Sequence, residues 1–183
     1  MTDAKQLIIE SKHGTLTVLY DAEDHDKVSA HRWCVNKDYT KNKGKFYVTT
    51  SILHPDGGWY VRNGVKIQRR RFALFVHRLI MDAPKGMHVD HINGNPLDNR
   101  KSNLRICTHA ENSNNTGPRK NNTSGYKGVY WAKRNKRWLA QITHNGKQVY
   151  IGHYKDKEEA ARAYDAKAKE FQGEFAYLNF PDE

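Results

Sequence analysis

The residues best suited to chemistry lie between positions 87 and 115. Asp90 and His91 are adjacent, Asn103 follows twelve positions after His91, and Asn112 follows nine positions after that. A carboxylate, amide oxygens and an imidazole are the groups needed to hold a hard divalent cation and to activate a water molecule against a phosphodiester. A hydrophobic core does not require these residue types in this order. The segment therefore predicts a metal-assisted hydrolytic site.

The elements around these residues read as strand, long polar turn, strand and helix. Residues 87–91 form the first strand and 104–107 the second, with Gly, Asn and Pro between them for the turn. Thr108 followed by Glu111 fits a capping box, which places Asn112 in the first turn of a helix. Strand alternation would send Asp90 and His91 to opposite faces. Both can line one site only if the strand ends at His91.

The chain before this segment is predicted to be mostly short strands. Candidate strands are residues 7–10, 16–19, 46–50, 59–62 and 71–76, with a short helix over 24–31 and another over 77–81. A basic cluster, Arg69–Arg70–Arg71, lies on a strand or hairpin and is either a solvated face or a phosphate contact. Two interpretations of His77 stay open: it packs against the site, or it has no role there.

The chain after this segment reads as a linker and a small domain. Residues 117–125 contain no apolar residue other than Pro and Gly and are interpreted as a linker. Strands are predicted over 128–131, 138–143 and 149–154, followed by a helix that Asp156 caps and Gly173 ends. Trp131 and Tyr164 are expected in its core. The predicted fold class is α+β, with a β-rich N-terminal region that leads into the strand–strand–helix motif, then a three-stranded antiparallel sheet packed on one helix.

Segment 87–115 resembles the HNH motif, the ββα-metal fold of many phage and bacterial homing endonucleases. By that resemblance Asp90 and Asn112 are the metal ligands, His91 is the general base, and Asn103 braces the long turn and the base. The cofactor would be one divalent ion, most naturally Mg²⁺, with Mn²⁺ as an alternative, because oxygen ligands favour hard ions over zinc.

The C-terminal unit resembles the DNA-binding domain of plant ethylene-response factors. The resemblance runs from about residue 124 to 181 and includes Gly125-Tyr126-Lys127-Gly128-Val129, Ile151-Gly152-His153-Tyr154 and Leu178-Asn179-Phe180-Pro181. In that family the sheet lies in the DNA major groove. Alternation and the basic turn assign eight residues to DNA contact: Tyr130, Lys133, Arg134, Arg137, Gln141, Thr143, Gln148 and Tyr150. Arg134 and Arg137 are phosphate anchors or solvated turn charges.

Composition agrees with a nucleic-acid partner. Thirty-one Lys and Arg against twenty Asp and Glu give a formal charge of +11, and a strongly basic chain usually meets a polyanion. Cys34 and Cys107 are the two cysteines, which argues against a disulfide framework or a structural zinc ribbon and favours the cytoplasm. No signal peptide or membrane-spanning segment is expected.

These observations predict a divalent-metal-dependent endonuclease for double-stranded DNA, of the homing or mobile-element type. Its domains would be a nuclease over 1–116, a linker over 117–125 and a DNA-binding domain over 126–183. No obligate protein partner is expected, and nicking by a monomer or double-strand cleavage by a dimer both stay open. Two alternatives remain: a DNA-binding regulator with an inactive nuclease centre, and an RNA-binding structural protein.

Overall fold

The computed structural model describes residues 3–37 and 45–182 and divides the chain into two compact units, Met1–Cys107 and Thr108–Glu183. The first unit contains seven strands and two α-helices within its described residues: β1 Ala4–Ser11, β2 Gly14–Asp21, α1 His25–Ser29, β3 Cys34–Lys37, β4 Phe46–Arg62, β5 Val65–Phe75, α2 Val76–Met81, β6 His88–His91 and β7 Leu104–Cys107. The second contains α3 His109–Asn114, β8 Val129–Ala132, β9 Arg137–His144, β10 Lys147–Tyr154 and α4 Lys157–Gln172. The α+β prediction is confirmed.

Three antiparallel sheets make up the first unit. β1 pairs with β2, β3 with β4 and β4 with β5, while β6 pairs with β7. Its hydrophobic core joins these sheets to the two helices through side chains such as Val18, Val28, Val48 and Val76, each at most 1% exposed. The predicted helix over 77–81 is confirmed as α2, which begins one residue earlier.

Strand β4 is longer than the sequence predicts. Residues 46–50 and 59–62 were expected to be separate strands, but β4 runs through both, and its pairing with β5 shifts register between Leu53 and Gly58. The Pro55-Asp56-Gly57 stretch, which has turn composition, is therefore accommodated as an irregularity within one long strand. β4 and β5 meet at Asn63-Gly64, where both φ angles are positive (53° and 77°), as a tight hairpin turn requires.

The second unit is the predicted three-stranded sheet backed by a helix. Its strands lie in the order β10-β9-β8, and α4 covers one face through Ala160, Ala161, Tyr164 and Ala168. Asp156 caps α4 by accepting hydrogen bonds from the backbone N–H groups of two following residues, as its position predicts.

One core assignment in this unit is wrong. Trp131 is 45% exposed, whereas Tyr164 is 2% exposed as expected. Trp131 lies two residues beyond the buried Val129 near the end of β8, where it contacts the ring of Trp138 edge-on at a centroid distance of 5.1 Å. Alternation gives the correct face of the sheet, but the core does not extend to the end of the strand.

Helix α3 clusters with the second unit. The carbonyl oxygen of Asn114, at the end of α3, accepts hydrogen bonds from the Tyr177 backbone N–H at 3.3 Å and the Lys127 Nζ at 2.5 Å. Burial lowers the pKa of Lys127 to about 8. The segment interpreted as a linker thus follows a helix that is already tied to the small domain.

Candidate active site and nucleic-acid interface

Strand β6 brings Asp90 and His91 into the interior of the first unit. The strand ends at His91, as a shared site requires, and both residues are 7% exposed. Their partners differ. Asp90 lies opposite Arg105 on β7, whose Nε and Nη2 donate to its Oδ2 at 2.9 and 2.7 Å. The guanidinium is itself largely buried, so the ion pair holds this carboxylate in one position.

His91 is oriented by an asparagine that sequence reasoning did not select. Asn99 is fully buried, and its Oδ1 lies 3.2 Å from His91 Nε2. The Asn99 Nδ2 donates to the Pro96 carbonyl oxygen, which leaves Oδ1 as the atom that faces the imidazole. Because Oδ1 can only accept, Nε2 carries the hydrogen, and Nδ1 is the nitrogen with a lone pair for a proton. This tautomer follows from the amide orientation.

The pKa of His91 lies below its ordinary value. Burial is the main cause and the charge of Lys45 adds to it, whereas the Asn99 hydrogen bond and the charges of Asp90 and Asp98 oppose the shift. His91 is therefore neutral at pH 7. Lys45 also donates from Nζ to the Gly94 carbonyl oxygen at 2.7 Å, which places a cation beside the long turn.

Asn103 braces the long turn. Its Oδ1 accepts from the Asn93 backbone N–H at 3.0 Å, and its Nδ2 donates to Asn93 Oδ1 at 3.0 Å and to the Asp98 carbonyl oxygen at 2.8 Å. Arg100 holds the Asp98 carboxylate through two hydrogen bonds of 2.8 and 2.7 Å, which lowers the pKa of Asp98. The turn thus has a fixed shape made by side chains.

Strand β2 supports the same turn from outside. The Leu19 backbone N–H donates to the Leu97 carbonyl oxygen, and the Leu19 carbonyl oxygen accepts from the Asn99 N–H, each at 2.8 Å. Asp21 Oδ2 accepts from the Lys101 N–H at 2.7 Å. The N-terminal hairpin therefore positions the residue that orients His91.

His77 packs against His91. It is 9% exposed, and the two rings meet edge-on with centroids 5.0 Å apart. Burial, followed by the charges of His91 and Arg78, lowers the pKa of His77 to about 3. Neutral His77 is a wall of the site at neutral pH.

Asn112 lies on α3 in the second unit and is half-buried. The predicted capping box is present: Thr108 accepts from the Glu111 N–H, and the Glu111 carboxylate accepts from the Thr108 N–H. The helix therefore begins where the sequence predicts. The role of Asn112 as a metal ligand stays a prediction.

The donor chemistry of the site fits a hard cation. Within residues 3–37 and 45–182, no three His, Cys, Asp or Glu side chains form a metal-binding group. The Asp90 carboxylate is an oxygen donor of the kind that suits an ion that keeps most of its water.

The proposed DNA-contacting residues of the second unit share a surface opposite α4 or lie in the adjoining turn. The register pairs Gln141 with Tyr150 and Thr143 with Gln148, and it pairs the buried Ile142 with Val149. The exposed members of the assigned set are Tyr130, Lys133, Arg134, Arg137, Thr143, Gln148 and Tyr150, while Gln141 is half-buried. Their contact with DNA stays a prediction.

Tyr150 has a fixed position on this surface. Its hydroxyl lies 2.8 Å from His153 Nδ1, and His153 Nε2 lies 2.9 Å from Asn135 Nδ2. Sequence reasoning did not select His153 or Asn135, because this contact joins the turn between β8 and β9 to β10.

Comparison with known proteins gives two family matches. Residues 75–114 match the HNH endonuclease family model, and residues 124–174 match that of the AP2 domain. Protein 3.8 of Escherichia phage T7 is 41% identical over 93 residues, which cover 51% of this chain and 76% of that protein. An uncharacterized HNH endonuclease of Acanthamoeba polyphaga mimivirus is 37% identical over 128 residues, covering 66% of each chain.

The AP2 match extends to plant proteins. An AP2-like ethylene-responsive transcription factor of Arabidopsis thaliana is 45% identical over 64 residues, which cover 35% of this chain and 13% of that protein. No helix among the described residues is both long and apolar enough to cross a membrane.

Proposed function

The chain belongs to the HNH endonuclease family and carries an AP2 domain, and on that premise we propose that it hydrolyses phosphodiester bonds in duplex DNA with the help of a divalent metal ion. HNH nucleases generally use such an ion, and DNA is the partner that both domains imply. The observation that carries the proposal is the orientation of His91, a buried neutral imidazole whose Nε2 is held by Asn99.

In this mechanism His91 is the general base. Its Nδ1 accepts a proton from the attacking water, and Asn99 keeps the ring in the required tautomer. Burial keeps the imidazole neutral at pH 7, so it is ready to accept that proton. Lys45, beside the turn, is suited to draw a phosphate toward the site.

Asp90 and Asn112 would hold the ion, and Mg²⁺ is the ion that their oxygen atoms favour. A divalent ion held by these residues would supply charge neutralisation at the scissile phosphate and the leaving oxygen. Arg105 holds the Asp90 carboxylate in position. Asn103 keeps the turn between β6 and β7 in shape. The AP2 domain would raise the local concentration of DNA, with its exposed sheet surface toward the major groove. A homing or mobile-element role, in the cytoplasm of a bacterial or infected cell, is part of the proposal.

Cleavage of supercoiled plasmid tests the function. The wild-type protein with Mg²⁺ or Mn²⁺ should give relaxed or linear DNA, and EDTA or His91→Ala should abolish the product. His109→Ala is the matched control, because His109 is an exposed histidine on α3. DNA binding without metal-dependent cleavage, on several plasmids, would favour the regulator instead. The product form separates nicking from double-strand cleavage.

A further inference from the structure

The distal part of β4 and β5 forms a two-stranded ribbon. β3 pairs with β4 only from Phe46 to Thr49, whereas β4 and β5 pair as far as Arg62 and Val65, with a register shift between Leu53 and Gly58. From the Ser51–Ala73 pair to the Arg62–Val65 pair, β5 advances by eight residue steps of about 3.4 Å each, which gives a ribbon roughly 27 Å long. We call residues 51–73 the β4–β5 ribbon.

The β4–β5 ribbon is not covered at its end. Leu53 and Val61 are each 69% exposed and Val65 is 61% exposed. Arg62 and Lys66 are exposed as well. Leu53 lies near the base of the ribbon, and Val61 and Val65 lie on opposite faces of its end. A two-stranded hairpin by itself is marginally stable in water, and aliphatic side chains exposed on both of its faces are suited to contact another molecule.

The charge of the ribbon favours a polyanion. Residues 51–73 contain five Lys or Arg and one acid, Asp56, in the sequence. The register places Lys66 beside Val61 on one face and Arg62 beside Val65 on the other, so each face at the end presents one cation and one aliphatic group. Cations contact phosphates, and aliphatic groups contact the thymine methyl and sugar.

We propose that the β4–β5 ribbon is a second DNA-binding element that enters the major groove beside the cleavage site. The groove of B-form DNA admits a two-stranded ribbon, and a length of roughly 27 Å corresponds to about eight base pairs. This inference rests on the proposed function only in taking duplex DNA as the polyanion. It adds a contact surface on the nuclease unit that is separate from the AP2 sheet.

The first test measures binding to a mixed-sequence DNA duplex of about 40 base pairs, long enough for both surfaces. All proteins carry His91→Ala so that cleavage does not interfere. The variant Arg62→Gln/Lys66→Gln is compared with Lys12→Gln/Arg32→Gln, which removes the same charge from exposed positions outside the ribbon. Fluorescence anisotropy at several salt concentrations gives the affinity and its salt dependence.

Two lost phosphate contacts should lower the slope of log K against log salt by about 1.8 and weaken binding at 0.1 M salt by at least about tenfold. The control should change neither by as much. Equal changes in both variants would overturn the proposal, because they would reflect total charge alone.

A second test addresses the aliphatic contacts. Val61→Glu and Ile8→Glu change side chains that are 69% and 62% exposed, and only the first lies on the ribbon. Val61→Glu should weaken binding and remove dimethyl sulfate protection of guanine N7, an atom in the major groove, while Ile8→Glu should preserve both. Melting temperatures verify that the variants fold. Unchanged protection in Val61→Glu contradicts the major-groove placement.

Duplex RNA of the same sequence separates the two nucleic acids. Its major groove is too deep and narrow for a ribbon, so the ribbon variants should leave RNA binding unchanged. Equal losses on RNA and DNA would refute the placement. Failure of the nuclease proposal is visible elsewhere, as absence of metal-dependent cleavage by the wild-type protein, and would leave these binding measurements interpretable.

Discussion

The bracing of the long turn by Asn103 leads to a quantitative prediction. Asn103→Ala removes three hydrogen bonds and leaves two backbone groups without that partner, the Asn93 N–H and the buried Asp98 carbonyl oxygen. Asn93 Oδ1 keeps the Asn95 N–H as a donor. At about 1–2 kcal/mol for each group left unpaired, the substitution should cost the first unit about 2–4 kcal/mol.

Thermal unfolding followed by circular dichroism measures this cost. For a unit of about 100 residues, 1 kcal/mol lowers Tm by about 4–8 °C, so Asn103→Ala should lower it by at least about 10 °C. Asn103→Asp tests the donor role separately. The new oxygen would face the Asp98 carbonyl oxygen and Asn93 Oδ1 at the positions where Nδ2 now donates, so this variant should be at least as unstable.

Asn95→Ala is the matched control in the same turn. Asn95 is exposed, and its Oδ1 accepts one hydrogen bond, from the Leu97 N–H at 3.1 Å. The expected cost is below about 1 kcal/mol. If Asn103→Ala lowers Tm no more than Asn95→Ala does, the bracing argument is wrong. Preserved plasmid cleavage by Asn103→Ala would separately refute its part in positioning the site.

Three further predictions concern other parts of the chain. Arg105→Met leaves the buried Asp90 carboxylate without its cation and should cost about 3–5 kcal/mol in urea unfolding with EDTA, while adding Asp90→Asn should recover most of the loss. If the Arg105→Met/Asp90→Asn double variant is as unstable as Arg105→Met alone, the unpaired carboxylate is not the cause of the loss. The pKa of His77 is about 3 in the folded protein and 6.5 in the unfolded chain. Between pH 3 and pH 6.5, His77 therefore takes up a proton only when the protein unfolds. Stability should fall as pH drops below 6.5, by about 2 kcal/mol at pH 5, and His77→Phe should flatten that part of the profile. Gly128 has a φ of +76°, and a Cβ there would overlap the Tyr164 ring. Gly128→Ala should therefore destabilise the second unit by about 3 kcal/mol or more. Thermal unfolding followed by tryptophan fluorescence measures this, and the variant should show no unfolding transition at the wild-type temperature. A transition at that temperature would exclude the overlap.

Elements with a strong local signal could be predicted from the sequence. β7 has the expected bounds, and the capping residues Thr108 and Asp156 begin α3 and α4 as expected. Capping depends on side chains within three residues of the helix start, so the sequence contains the whole interaction. β4 was harder because Pro55-Asp56-Gly57 has turn composition, and the pairing with β5 on either side of it, at Leu53 and Gly58, is not visible in the sequence.

The partners of the site residues could not be predicted, because they depend on pairing between distant segments. Arg105 meets Asp90 because the β6–β7 register places them opposite each other. Asn99 reaches His91 because β2 holds the turn through the backbone of Leu19. A polar residue in an irregular turn has no periodicity that would reveal its burial.

The contrast between the two neighbouring histidines favours His91 as the base of the proposed mechanism. Both rings are buried, and burial lowers the pKa of each, but their other interactions differ. Around His77 the further effects of His91 and Arg78 lower its pKa again, to about 3, so it is too weak a base to accept a proton near neutral pH.

Around His91 the Asn99 hydrogen bond and the nearby carboxylates of Asp90 and Asp98 stabilise the imidazolium that forms when it accepts a proton. A general base needs both properties: it must be neutral before the reaction and able to carry the charge afterwards. Burial provides the first property for both rings, and only His91 has partners that provide the second. In the proposed mechanism His77 therefore packs against the His91 ring, while His91 takes the proton.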